Sequence, residues 1–326
     1  MQITKVHDKF FKEVFSRIDV ATNFLEEMVD DKFVQKLHLN TLELDNGSFI
    51  DENLEESFAD ILYTCQYGEE QKTVKIALLY EHKSYREEYP HWQLIKYMIN
   101  VWQSGLKQKK AKPVPVIPIV IYHGREKWKY RSMREYFENL DEDFFKYIPD
   151  FEYHLVDLSK ISDKRITNFR NKFLAISALL FKHSRFNKYI QKIENEFVGL
   201  MKLIDNQEGN VFVKSIVLYI QNTEQLTITE LFTIFSKVSI NINNTAMTTA
   251  EQLISQGYNQ GISQGISQGI SQGIQLGINQ GEELATIKAI KNGYLNGISS
   301  AMLANISDLP LEKVEEIIAK VKLGLL

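Results

Sequence analysis

The stretch FADILYTCQYGEEQKTVKIALLYEHKS, residues 58–84, decides the predicted fold. Its two outer runs are rich in aliphatic, β-branched and aromatic residues, which favour β-strands. The hydrophilic segment GEEQKT between them is typical of a tight turn. The stretch therefore predicts a hairpin of two antiparallel strands.

Charged residues interrupt both predicted strands at one end of this hairpin. Asp60 lies inside the apolar run of the first strand, and the second strand ends in Glu81, His82 and Lys83. Because residues i and i+2 of a strand share a face, Glu81 and Lys83 are expected on one side and His82 on the other. Antiparallel pairing could then bring Asp60, Glu81 and Lys83 to one place.

Two carboxylates and a lysine at one place suit a divalent-metal phosphodiesterase. Mg²⁺ prefers hard oxygen ligands, and it can polarise a phosphate and activate a water molecule. A nearby lysine can stabilise the charge that develops on the phosphate. The D…ExK pattern is short, however, and the alternative is a strand-edge Asp60 with a solvated Glu81–Lys83 pair.

Further elements extend the hairpin on both sides. Helical spacing predicts a helix within residues 7–29, and period-two alternation predicts a strand over 37–44. Residues 90–106 form an amphipathic helical pattern. Pro115 and Pro118 interrupt the apolar run 114–124, so the strand is expected to follow them as IVIYH. With a further possible strand in 151–158, the order is α-β-β-β-α-β and then β; residues 162–240 predict several helices.

Gln93 and Tyr97 share one face of the predicted helix 90–106, because they are four residues apart. Glutamine can contact a metal-bound water or a phosphate, and tyrosine can contact a phosphate. The alternative is a helix face that contacts only solvent and core.

A basic segment stands out from a chain whose formal net charge is −4. Residues 105–134 carry nine basic side chains against one acid, Glu126, and Trp128 and Tyr130 are interleaved with them. Basic and aromatic residues together are typical of a surface that binds a nucleic-acid backbone, although a solvated charge run is the alternative. The basic residues are Lys107, Lys109, Lys110, Lys112, Arg125, Lys127, Lys129, Arg131 and Arg134.

Taken together, these motifs resemble those of the Rpn, or recombination-promoting nuclease, family, also called YhgA-like transposases. The resemblance covers roughly residues 5 to 240. It rests on HDKFFKEVF, FADILY, LLYEHKS, QLIKYM and PVIPIVIYHG followed by Trp128. The family belongs to the PD-(D/E)XK nuclease superfamily, although Ala59 stands here where the superfamily name has proline.

The resemblance implies an α/β restriction-endonuclease-like core and a Mg²⁺-dependent DNA endonuclease that promotes recombination, with Mn²⁺ as a substitute metal. Asp60, Glu81 and the backbone carbonyl of His82 would hold the metal, and Lys83 would be the catalytic lysine. Gln93 and Tyr97 resemble a QxxxY element of the catalytic site. Asp8 and Lys12 match an N-terminal D-x-x-F-K pattern that would shape the site.

The tail carries a tetrapeptide repeat with glycine at every fourth residue from 257 to 281, and residues 252–281 carry no charge. As a helix, seven glycines would cost about 6 kcal/mol relative to alanine, so the helix should not stand alone. We therefore expect self-association into a homo-oligomer through residues 253–284. A flexible polar linker is the alternative.

These patterns predict four parts: a nuclease-like core over 1–160, a helical subdomain packed on it over 161–245, a repeat helix over 246–298 and a helical hairpin over 299–326. The single cysteine, Cys65, excludes a disulfide scaffold and a thiolate zinc site. We find neither a signal-peptide pattern nor about 20 consecutive apolar residues, so we expect no membrane segment and a cytoplasmic protein, nucleoid-associated when bound to DNA.

Three functions are compatible with these residues. The first is an active DNA endonuclease. The second is a catalytically weak or inactive nuclease-fold protein that acts by DNA binding and assembly through its tail. The third is an RNA-cleaving nuclease, which would use the same residues.

Overall fold

The fold is seen in a computed structural model, which describes residues 3–45, 59–81, 88–107, 112–224 and 226–326. The chain divides into two compact units, Met1–Gln252 and Leu253–Leu326. The four-part division expected from the sequence stays a prediction.

The first unit combines a five-stranded sheet with ten helices and the start of an eleventh among its described residues. In chain order these elements are α1 (Ile3–Phe15), α2 (Ile18–Met28), α3 (Asp31–Val34), β1 (Leu37–Leu44), β2 (Ala59–Tyr67), β3 (Lys72–Glu81), α4 (Pro90–Lys107), β4 (Val116–Tyr122), β5 (His154–Asp157), α5 (Asp163–Thr167), α6 (Lys172–His183), α7 (Tyr189–Lys192), α8 (Glu194–Lys202), α9 (Gln207–Thr223), α10 (Ile228–Phe235) and α11 (Ile240–Leu295). Short 3₁₀ turns cover Met133–Tyr136, Glu142–Tyr147 and Leu158–Lys160.

The five strands follow one another across the sheet in chain order. The pairs β1–β2 and β2–β3 are antiparallel, whereas β3–β4 and β4–β5 are parallel. Helix α4 connects the parallel strands β3 and β4, as a parallel connection requires. The mixed α/β architecture predicted from the sequence is therefore confirmed.

The β2–β3 hairpin is confirmed as well. Its strands pair without interruption from Ala59–Tyr80 to Tyr67–Lys72. In the turn, the Gln71 N–H donates to the Gly68 carbonyl at 3.1 Å, and both residues have positive φ, +67° for Gly68 and +50° for Gln71. Glycine adopts this left-handed conformation without steric cost, which explains why the strands reverse here.

The expected start of β4 is wrong. The strand begins at Val116, and Pro118 lies inside it, opposite Ala77 of β3. The Lys75 N–H donates to the Pro115 carbonyl, so the alternation of backbone groups turns the Pro118 nitrogen away from β3. On that other side β5 begins to pair only at Ile119, and the missing N–H of Pro118 therefore removes no ladder hydrogen bond.

Each face of the sheet carries its own core. On one face, α4 packs through Leu94 and Met98 against Ala77, Leu79 and Val120. On the other face, the ring of Tyr80 stacks on Phe11 of α1 at 5.0 Å between centroids and contacts Phe181 of α6 at 4.7 Å. The sheet is thus buried on both sides, which accounts for its near-continuous apolar strands.

Two glycines in the helices that follow the sheet differ in how closely other atoms approach them. A Cβ atom on Gly209, in the first turn of α9, would lie 1.6 Å from the carbonyl oxygen of Ile204, whereas on Gly199 of α8 it would meet nothing within 4 Å. We expect Gly209→Ala to lower the free energy of unfolding by about 1–3 kcal/mol, because the backbone of Ile204 must move. The control Gly199→Ala should raise it by about 0.5–1 kcal/mol. Urea denaturation measures both, and equal stabilities would contradict the prediction.

The second unit contains the remainder of α11, followed by α12 (Ser300–Ser307) and α13 (Leu311–Lys322). Ile290 of α11, Leu303 of α12 and Val314, Ile317 and Ile318 of α13 form its small core. Among the described residues, no helix combines the length and the apolar character needed to cross a membrane.

Candidate active site at one edge of the sheet

The pairing of β2 with β3 places two carboxylate residues at one edge of the sheet. Asp60 pairs with Leu79, and Glu81 lies two residues beyond Leu79 at the end of β3. Residues that pair directly across two strands share a face of the sheet, and so do residues i and i+2 of one strand. Asp60, Leu79 and Glu81 therefore belong to one face, with Asp60 and Glu81 in diagonal register. The side chains of Asp60 and Glu81 lie outside the described residues, as do His82 and Lys83 entirely.

The helix α4 covers this same face. Tyr97 is buried with Leu79, Val120 and Trp128 in the core beneath α4, so its ring packs the helix onto the sheet. Gln93 lies one helical turn earlier and is half-buried, and its Oε1 atom is excluded from solvent. The structure therefore brings Gln93 and Tyr97 to the face that carries the positions of Asp60 and Glu81.

Asp8 and Lys12 stand one turn apart on α1, which packs on the opposite face. The ring of His7 lies 6.4 Å from that of Tyr80, so this part of α1 is close to the end of β3. Asp8 and Lys12 are half-buried, and Oδ1 of Asp8 is excluded from solvent. Both residues thus belong to the helix that passes the end of β3, and their site-shaping role stays a prediction.

The sequence analysis missed a third carboxylate at this edge, Asp157 at the end of β5. Asp157 pairs with Tyr122, which in turn pairs with Glu81. Its Oδ1 accepts hydrogen bonds from the backbone N–H of Ser159 at 3.0 Å and from the Ser159 hydroxyl at 2.6 Å. Two strand spacings separate it from Glu81, about 10 Å, so Asp157 caps a turn rather than joining the Asp60–Glu81 pair. The D-x-S pattern after the strand is the signal that could have identified this cap.

The structure divides the basic residues into two groups. Lys107 and Lys112 precede β4, whereas Arg125, Lys127, Lys129 and Arg131 follow it. The strand between them is about 20 Å long. Only the second group lies at the edge where β3 ends; the Lys107 side chain, Lys109 and Lys110 lie outside the described residues.

Two arginines of the second group are held by backbone carbonyls. Nη2 of Arg125 donates to the Arg185 carbonyl at 2.7 Å, and Nη2 of Arg131 donates to the Glu135 carbonyl at 2.8 Å. These hydrogen bonds hold the two guanidinium groups beside the end of β4. Arg134 differs, because it forms an ion pair with Asp150 at 2.9 Å.

His91, in the first turn of α4, ties this helix to the loop after β4. It is fully buried, with Nε2 3.2 Å from the Phe151 carbonyl and Nδ1 2.6 Å from the Tyr136 hydroxyl. Since a carbonyl only accepts, Nε2 carries the proton, and Nδ1 accepts from Tyr136. Burial raises the pKa of Tyr136 to about 12, so its hydroxyl remains a donor at neutral pH.

This arrangement predicts a pH-dependent stability. Burial lowers the pKa of His91 and of His154 below the ordinary value of about 6.5, so the unfolded chain binds protons that the folded chain does not. The stabilisation is complete above pH 6.5 and is lost as the pH falls through the folded pKa values. We expect the melting temperature to fall between pH 7.5 and 5, and to fall less in His91→Gln, although that variant is less stable at pH 7.5. Identical pH profiles for the two proteins would contradict the role of His91.

Among the described residues, no group of three or more His, Cys, Asp or Glu side chains is arranged to hold a metal ion. The β2–β3 edge carries two carboxylate residues in diagonal register, Asp60 and Glu81. Oxygen donors of this kind fit Mg²⁺ or Mn²⁺ better than softer metals.

Residues 5–211 match a family model described as "Putative transposase, YhgA-like". This match covers more than half of the chain. The chain belongs to the Rpn/YhgA-like family. The resemblance drawn from the sequence motifs is thus confirmed.

Several relatives of this YhgA-like chain carry nuclease names. The recombination-promoting nuclease RpnD of Escherichia coli O157:H7 is 28% identical over 180 residues, which are 55% of this chain and 68% of the relative. The recombination-promoting nuclease RpnC of E. coli K12 is 28% identical over 202 residues, which are 62% of this chain and 65% of the relative. The inactive recombination-promoting nuclease-like protein RpnE of E. coli K12 is 23% identical over 255 residues, which are 78% of this chain and 83% of the relative. No solved structure matches the chain significantly.

Proposed function

We propose that this protein is a metal-dependent DNA endonuclease with a PD-(D/E)XK core that promotes recombination. The observation that carries the proposal is the β2–β3 register, which puts Asp60 and Glu81 on one face at one edge of the sheet. The names of the relatives RpnD and RpnC support the same activity.

In this proposal Asp60, Glu81 and the backbone carbonyl of His82 hold Mg²⁺, or Mn²⁺ in its place. The bound metal supplies Lewis-acid polarisation of the scissile phosphate. Lys83 stabilises negative charge on the phosphate oxygens, and Gln93 orients the phosphate group through its amide. Tyr97 positions Gln93 by anchoring α4 in the core, and Asp8 and Lys12 shape the edge from the opposite face.

DNA is the proposed substrate because cations follow the strand next to the candidate site. Arg125, Lys127, Lys129 and Arg131 stand just after β4, the strand that pairs with β3. Such cations bind phosphates and displace counterions, so the affinity should fall with salt concentration. Lys107, Lys109, Lys110 and Lys112 would contact a more distant part of the backbone, and DNA binding would associate the protein with the nucleoid.

Incubation of the full-length protein with supercoiled plasmid tests the proposal. We expect nicking in Mg²⁺, nicking in Mn²⁺ and none after chelation. A parallel incubation with RNA of the same sequence identifies the substrate class. Cleavage of RNA alone would favour an RNA nuclease, and cleavage in neither metal would favour the alternative of an inactive protein that binds DNA. That alternative has support in the name of the relative RpnE.

We further propose that the repeat helix associates with a second copy of the chain. Within α11, every residue from 254 to 285 is exposed, including five isoleucines at four-residue intervals from Ile262 to Ile278. A Cβ atom on any of the seven repeat glycines would meet nothing within 4 Å. Glycine lowers the stability of a helix, and packing against a partner can restore that stability by burying the exposed isoleucines.

The geometry of the repeat limits the form of this contact. Each four-residue step turns about 400°, so the glycine stripe advances by about 40° per repeat and by about 240° from Gly257 to Gly281. A straight partner helix can therefore follow only two or three successive glycines. We expect a crossing contact that can form at several equivalent registers.

Substitution of three glycines distinguishes association from a linker role. The triple variant Gly265→Gln, Gly269→Gln, Gly273→Gln raises helix propensity but blocks close approach of a second backbone. The matched control replaces Ser263, Ser267 and Ser271 by glutamine and keeps every glycine. By sedimentation, we expect the wild type and the control to be oligomers and the glycine variant to be a monomer. The same mass for all three chains would support the linker.

A further inference from the structure

A hollow beside the first turn of α4 has features of a ligand site that the proposed catalytic edge does not use. It is open to solvent. Aromatic and basic side chains line most of it, and one carboxylate stands among them. These lining residues are Trp128, Tyr136, Tyr153, Lys129, Arg131 and Glu88.

The aromatic walls of the hollow are held in place before any ligand binds. Tyr136 donates its hydroxyl hydrogen to His91, as described above. Trp128 is buried, and its ring packs edge-on against Tyr122 at 4.9 Å. Preformed walls reduce the entropy that a ligand loses on binding.

Tyr153 leaves an unused hydrogen-bonding group at this hollow. The residue is 5% exposed, and its hydroxyl oxygen is buried without a hydrogen bond of ordinary geometry to the described residues. Burial raises the pKa of Tyr153, and the Trp128 side chain offsets part of the rise, so the hydroxyl stays protonated. Because an indole N–H only donates, Trp128 can supply a hydrogen to the Tyr153 oxygen but cannot accept the hydroxyl hydrogen, which a ligand oxygen or ring nitrogen can accept.

An exposed aromatic surface adjoins the hollow. Trp92 is 52% exposed and stacks on Tyr89 at 4.5 Å with an interplanar angle of 12°. Tyr136, a wall of the hollow, meets both rings edge-on, at 5.1 Å from Tyr89 and 6.2 Å from Trp92. Exposed flat rings next to a pocket provide a surface on which another planar group can stack.

Two cationic side chains and one carboxylate at the hollow can bind the polar groups of a ligand. The guanidinium of Arg131 lies 5.4 Å from the centre of the Tyr136 ring, and Lys129 is exposed. Both can bind phosphate oxygens. Glu88 can accept a hydrogen bond from the exocyclic amino group of a base. Planar stacking, phosphate binding and base-edge hydrogen bonding are together the requirements of a nucleotide.

We propose that the hollow and its Tyr89–Trp92 surface bind the base of an unpaired nucleotide in a single-stranded nucleic acid. Bases of an intact duplex offer their flat faces only to each other, so an aromatic surface of this kind selects unpaired strands. The inference rests on the proposed function for its ligand class. It adds that the substrate near the active edge is DNA with unpaired nucleotides, such as a flap, a gap or a locally melted supercoil.

A binding assay in EDTA tests the inference separately from cleavage, so an inactive protein would still give an answer. The full-length chain is titrated by fluorescence anisotropy against a labelled 12-nucleotide single strand. The same strand with abasic sites in place of its bases, and the blunt duplex, serve as comparison ligands. We expect the intact single strand to bind at least about 10-fold more tightly than the abasic strand.

Three variants assign the effect to the hollow. Trp92→Ala should weaken single-strand binding about 5- to 100-fold and leave duplex binding unchanged. The matched control Phe232→Ala removes an aromatic ring of similar exposure, 50%, from α10. It should change neither single-strand binding nor duplex binding. Tyr153→Phe keeps the buried ring, and it should weaken single-strand binding a few-fold without changing duplex binding. Equal affinity for intact and abasic strands, or an equal loss of duplex binding in Trp92→Ala, would overturn the proposal.

Discussion

The variant Asp60→Asn is expected to nick supercoiled plasmid at least about 100-fold more slowly than the wild-type chain, and Glu81→Gln should do the same. Each change keeps the size of the side chain and removes a negative charge. Because the two positions share one face at adjacent strands, loss of either charge should weaken the proposed metal site. Lys83→Ala should slow cleavage by a similar factor while leaving metal affinity nearly unchanged. Calorimetric titration with Mn²⁺ separates these two kinds of loss.

The control for this series is Glu69→Gln. Glu69 is an exposed carboxylate in the turn of the same hairpin, at the end remote from Asp60 and Glu81. The Glu69→Gln variant should cleave at the wild-type rate. This control and the three active-edge variants should all keep the wild-type circular dichroism spectrum. Equal nicking by the wild type and Asp60→Asn would show that the β2–β3 edge does not catalyse the reaction.

The variant Tyr80→Ala is expected to lower the free energy of unfolding by about 3–5 kcal/mol. Tyr80 is fully buried, and its ring stacks on His123 at 5.1 Å as well as on Phe11. Truncation leaves a cavity between the sheet and the helices α1 and α6, and it removes aromatic contacts that stabilise beyond area burial. Because Tyr80 immediately precedes Glu81, the same change should disturb the candidate active edge.

Denaturation in guanidinium chloride measures this effect. The control Tyr147→Ala makes the same truncation at a ring that is 74% exposed, and it should change the free energy of unfolding by less than about 0.5 kcal/mol. If Tyr80→Ala lost less than about 1 kcal/mol, the two-sided burial of the sheet would be in doubt.

Local sequence patterns were sufficient for the hairpin and for much of the architecture. The polar turn between two apolar runs predicts β2 and β3, and antiparallel pairing follows from so short a connection. The separation of Asp60 and Glu81 in the chain predicts that they lie close at one edge, and the pairing of Asp60 with Leu79 puts the two backbone positions in diagonal register there.

Other features depended on neighbours that are distant in the chain. Pro118 is tolerated inside β4 only because β5 begins one residue later, and no pattern within residues 114–124 contains that information. The basic residues form one run in sequence, yet the length of β4 separates them into two groups. Asp157 reaches the candidate edge because β5 pairs in parallel with β4.

The sequence by itself determined the family, most of the order of strands and helices along the chain, and the residue types available for chemistry. These follow from local periodicity and from motifs, which depend on neighbours a few residues apart. Only the tertiary structure decided which residues meet: the face shared by Asp60, Glu81 and α4, and the hollow in which Tyr153 lies beside Trp128 and Tyr136. The physical reason is that strand register and helix packing are set by contacts between segments far apart in the chain, and local patterns do not specify those contacts.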